Sequence, residues 1–227
     1  MISRLNLLGL NDSHVIECQF QHKLQPQVCE AFKKMQSAAQ ADGIDCQIVS
    51  AYRSFAQQLS IWQKKWAGEK ILLDIDEKPL AFTSLSDNQK LHAILTWSAL
   101  PGTSRHHWGT DLDVYDRFSI QQSAKPLQLV QSEYKDANGP CFALNNWLDN
   151  YAADFGFSRP YQDYHGGVAA EPWHLSYCSL AEQGIETFDF GLLKQVLTEH
   201  NIGGLNVILD NLPNIYQRYV LNMGIEV

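Results

Sequence analysis

Much is missing from this 227-residue chain, and each absence excludes something. No apolar run approaches the ~20 residues of a membrane-spanning helix. No basic stripe exists: 17 Lys and Arg stand against 25 Asp and Glu, a formal net charge of -8. Nucleic acid is therefore excluded as a partner, because phosphate binding rests on clustered cations. Charged residues make up only 19% and hydrophobic ones 45%, which argues against disorder and for a sizeable core. There is no internal repeat and no low-complexity tract. Cysteine is sparse: Cys18, Cys29, Cys46, Cys141 and Cys178 are scattered, odd in number and form no C-x-x-C pair. Buried, reduced thiols are the expectation, and no feature singles out a nucleophile among them. A signal peptide is not evident either. The apolar stretch in residues 1–12 is short, broken by Asn6 and followed by Asp12 and Glu17 rather than by a small-residue cleavage site. The expected location is cytoplasmic, or periplasmic if an upstream segment was removed.

What is present divides into helical and extended stretches. Val28, Ala31, Phe32 and Met35 recur at helical spacing and predict a helix over 26–42, with Gly43 as its stop. Residues 46–52 alternate like a strand. Residues 54–67 return to helix, with Phe55, Leu59, Trp62 and Trp66 along one side. Within 68–103 a loop and a short helix over 87–97 are expected, and Leu100-Pro101-Gly102-Thr103 is turn chemistry. Strands are expected at 112–115 and 173–177, a helix over 142–155 ending near Gly156, a Tyr- and Gly-rich loop over 158–170, and helices from 189 onward. Helices and strands segregate rather than alternate. The predicted class is α+β, a small, mostly antiparallel sheet flanked by helices. One domain is expected over 1–227, its motif-bearing core at about 45–180 and a helical C-terminal extension at 181–227.

Two short segments about sixty residues apart carry the chemistry. The first runs Ser104-Arg105-His106-His107-Trp108-Gly109-Thr110-Asp111-Leu112-Asp113, the second Glu171-Pro172-Trp173-His174. Two imidazoles and one carboxylate, with a fourth position left to water, form the ligand set of a catalytic zinc site; the same set also serves non-haem iron. A further Glu beside the last ligand is what an activated water needs as proton acceptor. His106 and His107 compete for the ligand role on composition alone. Gly109 lets a loop carrying one of them bend into a strand carrying Asp113. Residues two apart in a strand share a face, so Asp111 is expected beside Asp113, where it orients a ligand or meets a substrate amino group. Pro172 disfavours a helix interior, and a bent strand entry is expected to turn Glu171 and His174 toward one point. Trp173 packs in the core or borders the substrate. Tyr161, Tyr164 and His165 lie on the preceding loop as candidate groove residues, and Ser54 is placed to cap the helix that follows it.

At these residues the chain resembles the zinc D-alanyl-D-alanine carboxypeptidase family, which includes the vancomycin-resistance D,D-carboxypeptidases and dipeptidases. That family carries S-x-H-x-x-G-x-A-x-D, then E-x-W-H, and upstream Y-R-S-x-x-x-Q. This sequence offers Ser104, His106, Gly109 and Asp113; then Glu171, Trp173 and His174; and upstream Tyr52, Arg53, Ser54 and Gln58. One departure stands out: Asp111 occupies the position of the family's usual Ala. The resemblance implies the zinc-peptidase fold shared with lysostaphin-type and hedgehog-type domains. It implies one Zn²⁺ on His106, Asp113 and His174, Glu171 as general base and then acid, and Arg53 steadying the oxyanion. Ser104, Gln58, Asp111, Tyr161 and Trp173 are the expected substrate contacts. The expected substrate is a peptidoglycan stem peptide or muropeptide losing its terminal D-alanine. An L,D-carboxypeptidase, a D,D-dipeptidase and an endopeptidase use the same chemistry on another bond, and a non-catalytic zinc-containing binding module or a thiol hydrolase are the readings from other classes.

Overall fold

Val28, Phe32, Met35 and Ala39 fall on one side of α2 (Pro26–Ala41), and all are fully buried. Pro26 opens the helix at a position where a missing N–H costs nothing. This face packs on a four-stranded antiparallel sheet of spatial order β3 (Cys46–Ser50), β4 (Asp111–Asp116), β6 (His174–Tyr177) and β5 (Phe157–Ser158). Leu112, Val114 and Leu175 point from the central strands into the core that α2 shares with α7 (Phe142–Tyr151). Pleating turns Asp111, Asp113 and His174 to the other face. The computed structural model of the protein describes residues 2–123 and 125–223. Residues 1, 124 and 224–227 of the expected 1–227 unit lie outside that description.

A second apolar core forms between α3 (Phe55–Trp66), α4 (Asp87–Trp97), α9 (Phe190–Glu199) and α10 (Leu205–Ile215). Ser54 and Ser86 each cap their helix through a reciprocal box with the Gln three residues on. Residues expected as a C-terminal extension thus build a core together with helices from the first half of the chain. Beyond α10 the chain makes a π-turn over Tyr216–Val220. The helix expected over 142–155 is α7 followed by a 3₁₀ turn, Ala152–Phe155, closed by Gly156 at φ 84°. Elements without a sequence expectation include α1 (Arg4–Leu7), a hairpin of β1 (Ile16–Gln19) with β2 (His22–Leu24), α5 (Arg117–Gln122), α6 (Gln131–Lys135) and α8 (Cys178–Glu186).

The cysteine expectation needs correction. The hairpin turns through Phe20 and Gln21 at φ 46° and 72°. It delivers Cys18 to Cys29 on α2, with Cα atoms 5.5 Å apart, and the two form a disulfide. The spacing of the five cysteines concealed this pair because a turn without Gly or Asn gives no hairpin signal. Cys46 and Cys141 remain buried free thiols, and Cys178 is a half-buried one.

Candidate metal centre and cleft

The metal candidates are positioned by backbone features near each of them. Ser104 precedes a 3₁₀ turn over Arg105–Trp108, and Gly109 ends it in the left-handed region at φ 67°. A Cβ at Gly109 would run into Val15, so the close approach of the N-terminal segment also demands glycine. Gln25 pins the turn from behind: its N–H donates to the Gly109 carbonyl at 2.9 Å and its Nε2 to the Trp108 carbonyl at 2.8 Å. In the sheet, Asp113 and His174 sit directly opposite each other, as do Asp111 and Ser176. Glu171 to His174 form a tight turn in which the His174 N–H donates to the Glu171 carbonyl at 3.0 Å. Pro172 occupies the second turn position, where its fixed φ is favourable. This turn, rather than a bent strand entry, folds the Glu171 carboxylate back over the His174 ring, with Oε2 3.8 Å from Nδ1.

Hydrogen bonds settle which histidine faces the site. His107 is fully buried; its Nε2 accepts from the Gly102 N–H at 3.1 Å and its Nδ1 donates to the Arg53 carbonyl. Both ring nitrogens are thus engaged in the fold. His106 instead donates from Nδ1 to the Ala51 carbonyl at 2.8 Å and turns Nε2 toward Asp113 Oδ2 at 3.5 Å. The His174 ring lies between two carboxylates, Nδ1 to Asp113 Oδ1 and Nε2 to Asp111 Oδ1, each at 3.0 Å. One ligand atom each from His106, Asp113 and His174 lie within 4.8 Å of one another, all three residues buried. Nδ1 of His106 and Nε2 of His174 are tied to protein acceptors, and the opposite nitrogens turn on Asp113. This donor set fits a zinc ion with one position left open.

Charge in the site follows burial and these contacts. Burial alone would keep His174 neutral, but its bonds to Asp111 and Asp113 outweigh that and lift its pKa to about 10. Burial pushes His106 down to about 4. Burial also opposes the charge on Asp111, yet the Arg105 guanidinium and the His174 ring hold the carboxyl well below the usual carboxylate range. Arg105 donates from Nε to Asp111 Oδ1 at 2.8 Å and from Nη2 to Ser176 Oγ at 2.6 Å, and Thr110 donates its hydroxyl to the same carboxylate. Glu171 is lifted by burial to about 7.

A family model for VanY, D-alanyl-D-alanine carboxypeptidase, matches residues 21–180, which include every motif above. The chain belongs to this family. A Haemophilus influenzae protein of uncharacterised role is 32% identical over 128 residues, 56% of this chain and 96% of its own length. A D-alanyl-D-alanine carboxypeptidase from Enterococcus faecalis is 29% identical over 146 residues, 63% of this chain; the match spans 44% of that protein. Among solved structures, VanYB in complex with D-alanine-D-alanine has a TM-score of 0.54 at 22% identity, covering 87% of this chain and 89% of its own. A mutant of the vancomycin-resistance D,D-pentapeptidase VanY in complex with Zn(II) has a TM-score of 0.53 at 24% identity, covering 76% and 83%. At such identities the likeness is one of fold.

In this VanY-family chain the metal candidates open into a cleft of about 290 Å³, whose wall includes Arg53, Ser104, Tyr161, Glu171 and Trp173. Arg53 is held by two neutral partners, Gln58 Oε1 at 2.8 Å and Ser50 Oγ at 3.0 Å. Gln58 is fully buried, gives its other amide group to the Ala99 carbonyl at 2.7 Å, and supports Arg53 from behind rather than lining the cleft. Asp111 likewise meets the His174 ring and is not among the residues of the cleft wall. Tyr161 packs its ring on His174 with centroids 4.8 Å apart. Tyr164 and His165 are exposed and outside this wall. Among the residues of this wall, Arg105, Ser98 and Tyr219 escaped the sequence reading. Arg105 stood inside a motif without a recognised partner. Tyr219 reaches the wall from the π-turn at the far end of the chain, its hydroxyl 2.9 Å from His92 Nδ1.

Proposed function

We propose that this protein is a zinc-dependent carboxypeptidase that hydrolyses the terminal D-alanine peptide bond of peptidoglycan stem peptides. The observation that carries this reading is Glu171, a buried carboxyl folded over His174 at the edge of the His106–Asp113–His174 donor set, in a cleft that also holds Arg53. One Zn²⁺ on those three residues supplies Lewis acidity, lowering the pKa of water and polarising a peptide carbonyl. Glu171 accepts the proton of the attacking water at a carboxylate oxygen and returns it to the leaving amine. Burial lifts Glu171 to about 7 in the metal-free protein, and a bound dication would favour its carboxylate, the form that accepts a proton. Arg53, fixed by Gln58 and Ser50, offers its guanidinium to the charge that develops on the carbonyl oxygen. His106 is held in one tautomer by the Ala51 carbonyl and His174 by Asp111, so neither ring needs to reorient on receiving a cation. Ser104, Tyr161 and Trp173 line the cleft as substrate contacts. The Cys18–Cys29 bond supports work in an oxidising compartment, where such bonds persist, over the cytoplasm expected from residues 1–12.

Mass spectrometry of a peptide panel incubated with the zinc-loaded protein tests this, with chelator and Glu171→Gln as controls. The panel contains stem tetrapeptide and pentapeptide, free D-Ala-D-Ala and a cross-linked dimer. Chelator-sensitive loss of one D-alanine from the pentapeptide supports the reading. Preference for the tetrapeptide, the free dipeptide or the cross-link moves the enzyme to the L,D-carboxypeptidases, dipeptidases or endopeptidases of the same chemistry. No cleavage by a protein that holds zinc favours a binding module instead.

A further inference from the structure

One cation near the cleft has no ion-paired carboxylate among the described residues. Lys65 lies in the last turn of α3, one turn beyond Ile61, which lines the cleft. Its Nζ donates to Ser98 Oγ at 2.7 Å, and Ser98 is itself part of the cleft wall. An ammonium has three N–H donors, and Ser98 is its one hydrogen-bond partner among the described residues. No carboxylate among the described residues lies within ion-pair distance. The nearby charges that act on it are Glu171, which attracts, and Lys70 and Arg53, which repel. Burial pushes its pKa down to about 8, so the ammonium remains the main form at neutral pH. A last-turn Lys gains from the helix dipole, but Lys64 beside it is exposed and collects the same benefit without being buried. Arg53 is a second cation in this wall whose side-chain partners are both neutral. Two half-buried cations that no described carboxylate meets at ion-pair distance leave this part of the cleft suited to an anion arriving from outside.

We propose that Lys65 and Ser98 form a carboxylate subsite of the cleft, in which the Lys65 ammonium and the Ser98 hydroxyl receive a carboxylate of the bound peptide. The proposal rests on reading the cleft as a peptide site. The free C-terminal carboxylate is the nearest source. One residue spans at most ~3.6 Å, so in a carboxypeptidase substrate this group stays within one residue of the attacked carbonyl. A side-chain carboxylate further up the peptide has the same chemistry. The subsite would make the enzyme an exopeptidase by charge: a substrate continuing past the scissile bond as an amide brings no anion to Lys65.

Calorimetric binding to the full-length, zinc-loaded Glu171→Gln protein tests this without consuming the peptide. The probes are a pentapeptide that ends in D-Ala-D-Ala and carries one glutamate carboxylate, the same peptide as its C-terminal amide, and the same peptide with only the glutamate amidated. The C-terminal amide is expected to bind roughly 10- to 100-fold more weakly than the acid, the range of a charge-assisted hydrogen bond. Adding Lys65→Gln should bring acid and amide to the same affinity, and Ser98→Ala should narrow their ratio by a smaller factor. A role of Lys65 in helix stability alone would leave that ratio unchanged. If glutamate amidation, and not terminal amidation, abolishes the effect of Lys65→Gln, the subsite stands with a side-chain carboxylate as its ligand. If Lys65→Gln changes neither the terminal nor the glutamate acid-to-amide ratio, the proposal is overturned while the peptidase reading stands. If no probe binds, both fall.

Discussion

Asp111→Ala removes a carboxylate that accepts from His174 Nε2 at 3.0 Å and from Arg105 Nε at 2.8 Å. Two losses follow, and they can be measured apart. The first is electrostatic: the Arg105 side chain is 12% exposed and would be left as a buried charge without a partner. Stranding one member of a buried pair costs about 3–5 kcal/mol. In a chain of 227 residues that corresponds to a fall in Tm of roughly 6–20 °C. The second is orientational: no other partner among the described residues holds His174 Nε2, so its Nδ1 is no longer aimed at Asp113. Removing the partner of a metal-ligating His weakens metal binding by roughly 10–100-fold. Arg105→Leu/Asp111→Ala removes both charges together and should recover most of the stability, since apolar replacement of a buried pair is often neutral. It should not recover metal affinity. Urea denaturation of the metal-free proteins reads the first loss, and zinc competition against a chromophoric chelator reads the second. Wild-type zinc affinity in Asp111→Ala would refute the orienting role. Full recovery of affinity in the double variant would show that Asp111 acts only by balancing Arg105.

Four further outcomes are expected. Arg53→Ala should fold, keep zinc and lose turnover by roughly 10²–10³-fold, as loss of an oxyanion donor does elsewhere; near-normal kcat would remove Arg53 from the chemistry. Glu171 must be ionised to accept a proton, and in the metal-free protein burial lifts it to about 7. A bound dication favours the carboxylate, so kcat/KM of the zinc enzyme should fall as pH drops through a limb below 7, and a limb above 7 contradicts this. Lys65 has a folded-state pKa of about 8 against 10.5 for a fully hydrated lysine, so its burial penalty is fully present below pH 8 and fades as pH rises toward 10.5. Lys65→Met should therefore exceed wild type in urea stability by about 3 kcal/mol at pH 7, the gap closing by pH 10.5; a pH-independent gap would be inconsistent. Reducing the Cys18–Cys29 bond, which closes an 11-residue separation, should cost about 3 kcal/mol and lower Tm by roughly 6–12 °C, whereas an unchanged melting curve under reductant would argue against its contribution.

The α+β class and most long elements were legible because α2, α3 and α4 each carry an apolar face at helical spacing and two have Ser caps. The metal candidates were legible because His106, Asp113 and His174 are chemically unusual at that spacing. The rest depended on information that local sequence does not hold. Phe20 and Gln21 form a tight turn with residues that give no turn signal, so the hairpin and its disulfide stayed hidden. The choice between His106 and His107 needed the carbonyls of Ala51 and Arg53, more than fifty residues upstream. Period-two alternation put Asp111 on the face of Asp113, but only the pairing of β4 with β6 brings it within hydrogen-bond reach of His174. Ser98 and Tyr219 reach the cleft wall, and Lys65 reaches Ser98, through tertiary packing alone.

Tyr219 also bears on the order in which the molecule becomes complete. Synthesis proceeds from the N-terminus, so His106, Asp113 and His174 have all emerged some tens of residues before the π-turn that brings Tyr219 to the wall. Its bond to His92 spans 127 positions, among the longest closures in the chain. A nascent chain can therefore assemble the donor set while one side of its cleft is still unmade. The residues of the donor set and the last residue of the cleft wall thus become available at different times during synthesis.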